Sequence, residues 1–259
     1  MKIRSLVAAA NIGVMFLLAV GIAAEAAEVK VLSGIGMRPV MEDLGPKFER
    51  ATGHKLAITF AGLDAVVKRV QEGETADVVI IVRQGIDSLV KDGKAAAGNV
   101  TVIARSGVGV AVRKGALKPD ISSPEALKRT LLAAKSITYG NPAWNSPGGS
   151  HFAKVLDRLG IANEMKSKTV FLPKPGPVGV LVANGEAEIG VQQLPNLISV
   201  AGIEIVGLLP GDLQDTIILA AAIMGSARDP AASKALVNFL RTPEAAIVIK
   251  ANGMEPGAP

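Results

Sequence analysis

The chain has 259 residues, a formal net charge of +5, 3 % aromatic residues and no cysteine. Its basic residues form clusters no longer than pairs and few aromatic rings accompany them, which argues against a nucleic-acid partner. The lack of cysteine excludes a disulfide framework, a thiol nucleophile, a cysteine metal site and a lipid-modified cysteine.

The first 26 residues have the pattern of a secretory signal peptide. Residues 1–4 are basic, residues 12–24 are apolar, and Ala24-Glu25-Ala26 fits a cleavage site. The alternative is an uncleaved membrane anchor, because residues 6–24 carry no charge. We expect cleavage before Ala27 and a periplasmic protein. Removal of 26 residues from 259 leaves 233, which suits two domains of about 115 residues each.

From residue 28 to residue 92, strand and helix patterns alternate. Val40, Leu44 and Phe48 recur at four-residue spacing, which predicts a helix. Residues 76–82 form an apolar run without alternation, typical of a strand buried on both faces. The predicted elements are strand 28–36, helix 39–52, strand 55–62, helix 64–72, strand 76–82 and helix 85–92. This order predicts a parallel sheet.

Two long β-rich segments predict that the chain crosses between two lobes. Residues 99–115 form one β-rich run with a glycine interruption, and residues 215–225 form a second long apolar run. The other predicted elements are helix 122–135 with Ser123 as N-cap, strand 136–140, helix 149–159, strand 168–172, helix 177–184, strands 187–192 and 203–210, and two helices within 230–253. The fold class is therefore α/β, with two parallel or mixed sheets joined by two hinge strands. Lobe 1 is predicted to contain residues 27–106 and 216–259, and lobe 2 residues 107–215.

Three loops rich in Gly, Ser or Ala precede predicted helices, at 33–39, 60–64 and 144–152. Such loops expose unpaired backbone N–H groups at a helix N-terminus and so bind anions. A simple turn is the alternative for any one of them. No Walker or dinucleotide motif is present. The residues that we predict to contact an anion through these loops are Gly36, Met37, Ala61, Gly62, Asn145, Ser146, Gly149 and Ser150, and Tyr139 and Trp144 are expected to pack against or rim the pocket.

Several polar side chains at strand ends are further candidates. Arg38 and Arg83 could each pair with a carboxylate or lie on the surface. Gln192 and Gln193 could donate to a ligand or cap a strand. For His151 three roles remain open: a structural role, a hydrogen bond to the ligand, or proton transfer as a general base. The two histidines make no metal site, and we expect neither a metal nor a cofactor.

The sequence resembles the molybdate-binding-protein (ModA-like) group of periplasmic solute-binding proteins over nearly the whole chain after the signal. The segments that carry the resemblance are "EVKVLSGIGMRPVMEDLGPKFERATGHKLAITFAG", "VQEGETADVVIIV", "SLVKDGK", "GEAEIG" and "ALVNFLRTPEAA". The resemblance implies a type II periplasmic binding protein with an oxyanion held between two lobes.

The resemblance also implies positions for the ligand site. The family's binding loops fall on Gly34 to Met37, on Ala61-Gly62, on Gly149-Ser150 and near Pro175 to Val178. Its ligand serines look to be Gly36 and Gly62 here, and its ligand tyrosine falls near Gln192 or Gln193. The scaffold therefore matches, while the side chains that hold molybdate largely do not.

Other segments are more similar to a subgroup of the same scaffold that contains aconitate isomerase. They include "RSGVGVAVRKGALKPDISSPEALKRTLLAAKSITY" and "GEAEIGVQQLPNLISVAGIEIVG". This resemblance implies a small organic acid as ligand. We therefore expect a monomeric periplasmic protein that binds a di- or tricarboxylate and serves an ABC-type permease. An aconitate-isomerase-like enzyme is the alternative, and a molybdate or tungstate carrier is a second alternative.

Overall fold

The computed structural model describes residues 26–257, so the predicted signal peptide lies, but for its last residue, outside the described residues. The chain forms two mixed β-sheets, one of six strands and one of four, with helices packed on both. The predicted α/β fold with two mixed sheets is confirmed. Within residues 26–257, no helix has both the length and the apolarity needed to span a bilayer.

The six-stranded sheet contains the first and last parts of the described chain. Strands β1, β2 and β3 are parallel to one another, and the remaining neighbours pair antiparallel in the order β10-β4-β9-β3-β1-β2. Its elements are β1 (Glu28–Gly34), α1 (Arg38–Thr52), β2 (Lys55–Ala61), α2 (Leu63–Gln71), β3 (Val78–Val82), α3 (Arg83–Lys91), β4 (Ala95–Ser106), β9 (Ile217–Met224), α9 (Pro230–Phe239), α10 (Pro243–Ala251) and β10 (Met254–Pro256). We call this part lobe 1.

The four-stranded sheet contains the middle of the chain, which we call lobe 2. Its order is β6-β7-β5-β8, with only β6 and β7 parallel. Its elements are β5 (Val108–Arg113), α4 (Pro124–Ala133), β6 (Ile137–Tyr139), α5 (Pro147–Arg158), α6 (Ala162–Lys166), α7 (Gly179–Ala183), β7 (Ile189–Gln193), α8 (Leu194–Ile198) and β8 (Ile203–Leu208).

Burial on both faces explains the continuous apolar run of β3. Val78 and Ile80 pack in a cluster with α1, α9 and α10, whereas Val79 and Ile81 pack with α2 and α3. Successive side chains of a strand point to opposite faces, so both sets of positions must be apolar when helices cover both faces.

The chain passes between the lobes at two adjacent places. Gly107 alone separates β4 from β5, and residues 209–216 connect β8 with β9. A Cβ atom on Gly107 would overlap the amide of Gln214, and that amide lies 3.1–3.2 Å from the backbone N and O of Val108. The two crossings are therefore packed against each other and joined through one side chain.

The predicted strand at 168–172 is wrong apart from one bridge. Thr169 pairs with Ile137, and Val170 N donates to Ile137 O at 2.9 Å. Pro173 and Pro175 follow at once, and proline has no N–H to continue a ladder. The short elements α6, α8 and β10 were not predicted, because segments of three to five residues are too short to show a period.

Asp77 joins three central parts of lobe 1. Its buried carboxylate accepts hydrogen bonds from Lys30 N at 2.7 Å, from Arg228 N at 2.7 Å and from the Arg228 guanidinium at 3.1 Å. Burial alone would raise the pKa of Asp77, but the hydrogen bonds from Arg228 and Lys30 outweigh it and hold the pKa below the ordinary value of 3.8.

We predict that Asp77→Asn lowers the free energy of unfolding at pH 7 by about 1.5–3 kcal/mol, because charged hydrogen bonds are lost. The folded pKa is depressed, so this contribution is present above about pH 4 and lost as pH falls through the folded pKa. Urea unfolding measured from pH 7 to pH 2 should show the wild-type advantage disappearing in acid. The control Asp87→Asn, which breaks an exposed pair with Arg83, should change stability by less than about 0.5 kcal/mol.

Candidate functional site

A cavity lies between the two lobes. It encloses about 80 Å³, enough for several heavy atoms rather than one water molecule. From lobe 1 it is lined by residues 34–36, Gly62, Leu63, Ile81, Val82 and Leu219. From lobe 2 it is lined by residues of the 139–147 loop and of the 172–178 segment, and by Gln192, Gln193 and Asn196. The lining follows the carboxyl ends of strands in both sheets, where open α/β sheets bind ligands.

Four α-helices that begin at this cavity lack side-chain N-caps. The N-caps of α4, α9 and α10 (Ser123, Asp229 and Thr242) each accept a backbone hydrogen bond, and none of these helices begins at the cavity. By contrast, α1, α2, α3 and α5 have no side-chain cap, and each begins at or just after residues that line the cavity. The positive ends of these dipoles therefore lie at the cavity, and no side chain caps the first N–H groups of α2 and α3. In α1, Arg38 N already donates to Ile35 O, and Pro147 at the start of α5 has no N–H.

The lining is mostly apolar, and the polar side chains within it are uncharged. Among the described residues that line the cavity, none is Asp, Glu, Lys, Arg or His. An anion in this cavity would be held by backbone N–H groups and by neutral side chains such as those of Ser146, Gln193 and Asn196. No group of three or more carboxylate or imidazole side chains within residues 26–257 is placed to hold a metal ion.

Gln192 and Gln193 are adjacent at the end of β7 but have different roles. Gln192 Oε1 accepts from Val178 N at 2.9 Å and its Nε2 donates to Gly176 O at 3.0 Å, so its amide fixes the loop that forms one wall. Gln193 is only 6 % exposed, and its Nε2 has no hydrogen-bond partner. An unpaired buried donor is costly unless a ligand supplies an acceptor.

Tyr139 is the one ionisable side chain among the described lining residues. Its ring makes edge-to-face contacts with Phe152 at 5.2 Å and Phe171 at 5.1 Å. Burial, together with the charge of Asp157, raises its pKa above 10.0, although a hydrogen bond with Thr169 opposes the shift. The phenol is therefore neutral at pH 7 and is a poor base there. Tyr139 and Trp144 both line the cavity, as the sequence analysis expected.

The structure brings six of the fourteen candidate residues to the cavity lining: Gly36, Gly62, Ser146, Val178, Gln192 and Gln193. The first two of these come from lobe 1 and the others from lobe 2. Their binding roles stay predictions.

The lobe 1 candidates outside the lining lie either in the core of the lobe or on its surface. Met37 is fully buried in the core, and Ala61 packs against the α2–α3 cluster. Arg38 lies 3.6 Å from Glu42 and stacks over the ring of Phe60, with its charge on the surface. Arg83 donates to Asp87 at 2.7 Å and is also exposed. Neither arginine lines the cavity, and the pairing of either one with a ligand carboxylate stays a prediction.

The lobe 2 candidates outside the lining make contacts with lobe 1, within helix α5 or with the 209–216 crossing. Asn145, in a left-handed conformation with φ 47°, donates to Asp64 of lobe 1 at 2.8 Å and so bridges the lobes. Ser150 N is used by the helical bond to Ser146 O. His151 Nε2 lies 2.8 Å from Leu213 O, which places this ring against the second crossing rather than in the cavity.

Gly149 also has a packing role that the sequence analysis missed. A Cβ atom at this position would overlap the backbone carbonyl of Gly140. A substitution at Gly149 would therefore push α5 away from the 139–147 loop.

Comparisons with known proteins identify a family of solute-binding proteins. A family described as bacterial extracellular solute-binding proteins matches residues 29–255. The chain belongs to this family. It is 36 % identical over 232 residues to aconitate isomerase from Pseudomonas sp., covering 87 % of each chain. It is 31 % identical over 236 residues to the molybdate-binding protein ModA of Azotobacter vinelandii, covering 89 % of this chain and 91 % of that one.

The fold is also similar to solved structures of this type. The periplasmic molybdate-binding protein of Azotobacter vinelandii superposes with a TM-score of 0.74 at 22 % identity, over 89 % of this chain and 100 % of that one. The protein is thus a ModA-like solute-binding protein, and the resemblance expected from the sequence is confirmed.

Asn196, Asn141 and Leu172 line the cavity but were not among the candidates. Asn196 follows the end of β7 in the short helix α8, which carries no periodic signal. The sequence "QQLPNL" does show polar residues around a strand end and a proline at a helix start. That pattern is the one signal that could have identified Asn196.

Replacing two helical glycines by alanine should have opposite effects. Gly149→Ala should lower the thermal unfolding temperature, because its Cβ meets the Gly140 backbone. Gly45→Ala in α1 should be neutral or stabilising by up to about 1 kcal/mol, since its Cβ meets only Leu56 and Ile58 side chains at 3.5 and 3.8 Å. Thermal denaturation of both variants checks this, and a Gly149→Ala protein as stable as wild type would contradict the described packing.

Proposed function

We propose that the protein binds a small organic acid, a di- or tricarboxylate, in the cavity between its lobes. The observation that carries the proposal is the convergence of four helix N-termini without side-chain caps on a cavity whose polar side chains are all uncharged. Backbone N–H groups and helix dipoles stabilise an anion there without an ionised partner. The donors come from several directions, which suits a ligand with more than one carboxylate.

Two glycines in the positions of the ligand serines support an organic acid over molybdate or tungstate. The resemblance places the ligand serines of molybdate binding at Gly36 and Gly62. A Cβ atom would make ordinary contact with Gln193 at 3.5 Å at Gly36 and with Pro175 at 3.9 Å at Gly62, and neither glycine supplies a hydroxyl group to a metal oxyanion. The identity to aconitate isomerase, 36 %, also exceeds the 31 % to ModA.

The family and the leader sequence support a periplasmic carrier. We expect the protein to be exported, cleaved near Ala27, and to act as a monomer that delivers its ligand to a membrane ABC permease. Closure on the ligand would be a hinge motion at the two crossings. The hydrogen bond from Asn145 to Asp64 at 2.8 Å would then be one contact that holds the closed form.

An isomerase that shifts a proton along aconitate is the second candidate, and the 36 % identity to aconitate isomerase favours it. Such a reaction needs a base beside a ligand carbon. Among the described lining residues only Tyr139 titrates, and its raised pKa keeps it protonated at pH 7. His151 lies against Leu213 instead. These placements favour binding without turnover.

Titration calorimetry of the mature protein with trans-aconitate, tricarballylate and molybdate tests the proposed ligand class. We expect saturable binding of the carboxylates and at least tenfold weaker binding of molybdate. At a hundredfold excess over the dissociation constant, the bound acid should stabilise the fold by about 2.7 kcal/mol. Tight binding of molybdate with no response to either acid would contradict the proposal.

Nuclear magnetic resonance of trans-aconitate incubated with the protein separates the binder from the enzyme. We expect saturable binding and no cis-aconitate, and the His151→Ala variant should bind as wild type does because His151 lies outside the lining. Appearance of cis-aconitate would identify an isomerase. In that case Tyr139→Phe should slow turnover by a hundredfold or more if the phenol moves the proton.

A further inference from the structure

Two side-chain amide oxygens face one point at the wall of the cavity. Gln193 Oε1 lies 3.5 Å, and Asn196 Oδ1 4.0 Å, from the position that a Cβ atom on Gly36 would occupy. All three residues line the cavity, and both amide-bearing residues are only 6 % exposed. Within residues 26–257, no protein donor contributes a hydrogen bond to either of these oxygens.

Two acceptors side by side are unfavourable for a fully ionised oxyanion. The negative ends of both amide dipoles would face ligand oxygens that carry no hydrogen, and the buried acceptors would stay unpaired. The helix N-termini elsewhere in the cavity are suited to carboxylates. The amide pair therefore requires a hydrogen-bond donor on the same ligand.

We propose that the ligand is a hydroxycarboxylic acid whose hydroxyl group donates to the amide oxygens of Gln193 and Asn196 beside Gly36. This inference rests on the proposed binding of an organic acid and specifies its class. The hydroxyl occupies the space that a side chain at position 36 would fill. The amide of Gln193 also supplies a donor, since its Nε2 has no partner in the protein.

Matched acids that differ by one hydroxyl group test the inference in the wild-type protein. Citrate and tricarballylate form one pair, and malate and succinate form a second. Titration calorimetry at pH 7.5 should show the hydroxy acid of each pair binding at least tenfold more tightly. Equal affinities within both pairs would overturn the inference and leave the binding of organic acids intact. Binding of molybdate but of none of the four acids would instead remove the proposed function.

Variants at Gly36 and Asn196 test whether this part of the cavity causes the preference for hydroxy acids. Gly36→Ala fills the space with one methyl group in ordinary contact with Gln193, and Asn196→Leu removes one acceptor at similar volume. Each should reduce the affinity ratio of citrate to tricarballylate to below about threefold. The control Gly62→Ala changes the wall near Pro175, away from both amide oxygens, and should alter both affinities alike, so the ratio should stay at tenfold or more. A ratio that survives both Gly36→Ala and Asn196→Leu would show that these amides do not contact the hydroxyl.

A pH series excludes the other possible donor, a protonated carboxyl group. The citrate preference should persist from pH 7.5 to pH 5. If tricarballylate instead gains affinity as pH falls and matches citrate at pH 5, a protonated carboxyl group supplies the hydrogen bond and the hydroxyl inference is overturned.

Discussion

The N-terminal N–H groups of helices α1, α2, α3 and α5, which no side chain caps, are the constraint on which the site depends. In the rest of the fold, helices of similar length satisfy these groups with a serine, aspartate or threonine cap. At the cavity the chain places glycine, valine, methionine and an unbonded serine in the capping positions. Water or a ligand must then pair with the exposed donors, so the affinity for an anion follows from the strand–helix arrangement and not from a charged side chain.

The end of β7 shows how the scaffold divides support from recognition. Successive residues of a strand point to opposite sides, so Gln192 and Gln193 face different surroundings although their side chains are identical. Gln192 uses both ends of its amide to hold the 176–178 segment in place. Gln193 keeps an unpaired donor and directs its oxygen towards Gly36. Gln192 therefore fixes one wall of the cavity, and Gln193 keeps an amide that a ligand can bind.

The fold was largely predictable from the sequence because its strands are long or bounded by clear turns. The apolar run of β3 indicated a strand buried on both faces, and the glycine between β4 and β5 marked the crossing between the lobes. The site was predictable only in part. Glycine loops before helices located Gly36, Gly62 and Ser146, whereas Arg38, Arg83 and His151 were given roles that depend on which way a side chain leaves its helix. A difference of one residue along a helix turns the side chain by about 100°, and no pattern in these loops specifies that direction.

The position of β9 in its sheet has a consequence for how the chain reaches its native state. This strand lies between β3 and β4, although more than a hundred residues separate it from them in sequence. Until it arrives, β3 and β4 each present an open edge with unpaired backbone groups, which is a hazard for aggregation. Lobe 1, whose strands come first in the sequence, is therefore completed only when β9 and β10 are added at the end of the chain. A chain that ends between residues 106 and 217 would leave one edge of β3 and both edges of β4 unpaired, because β9 and β10 both come later in the sequence.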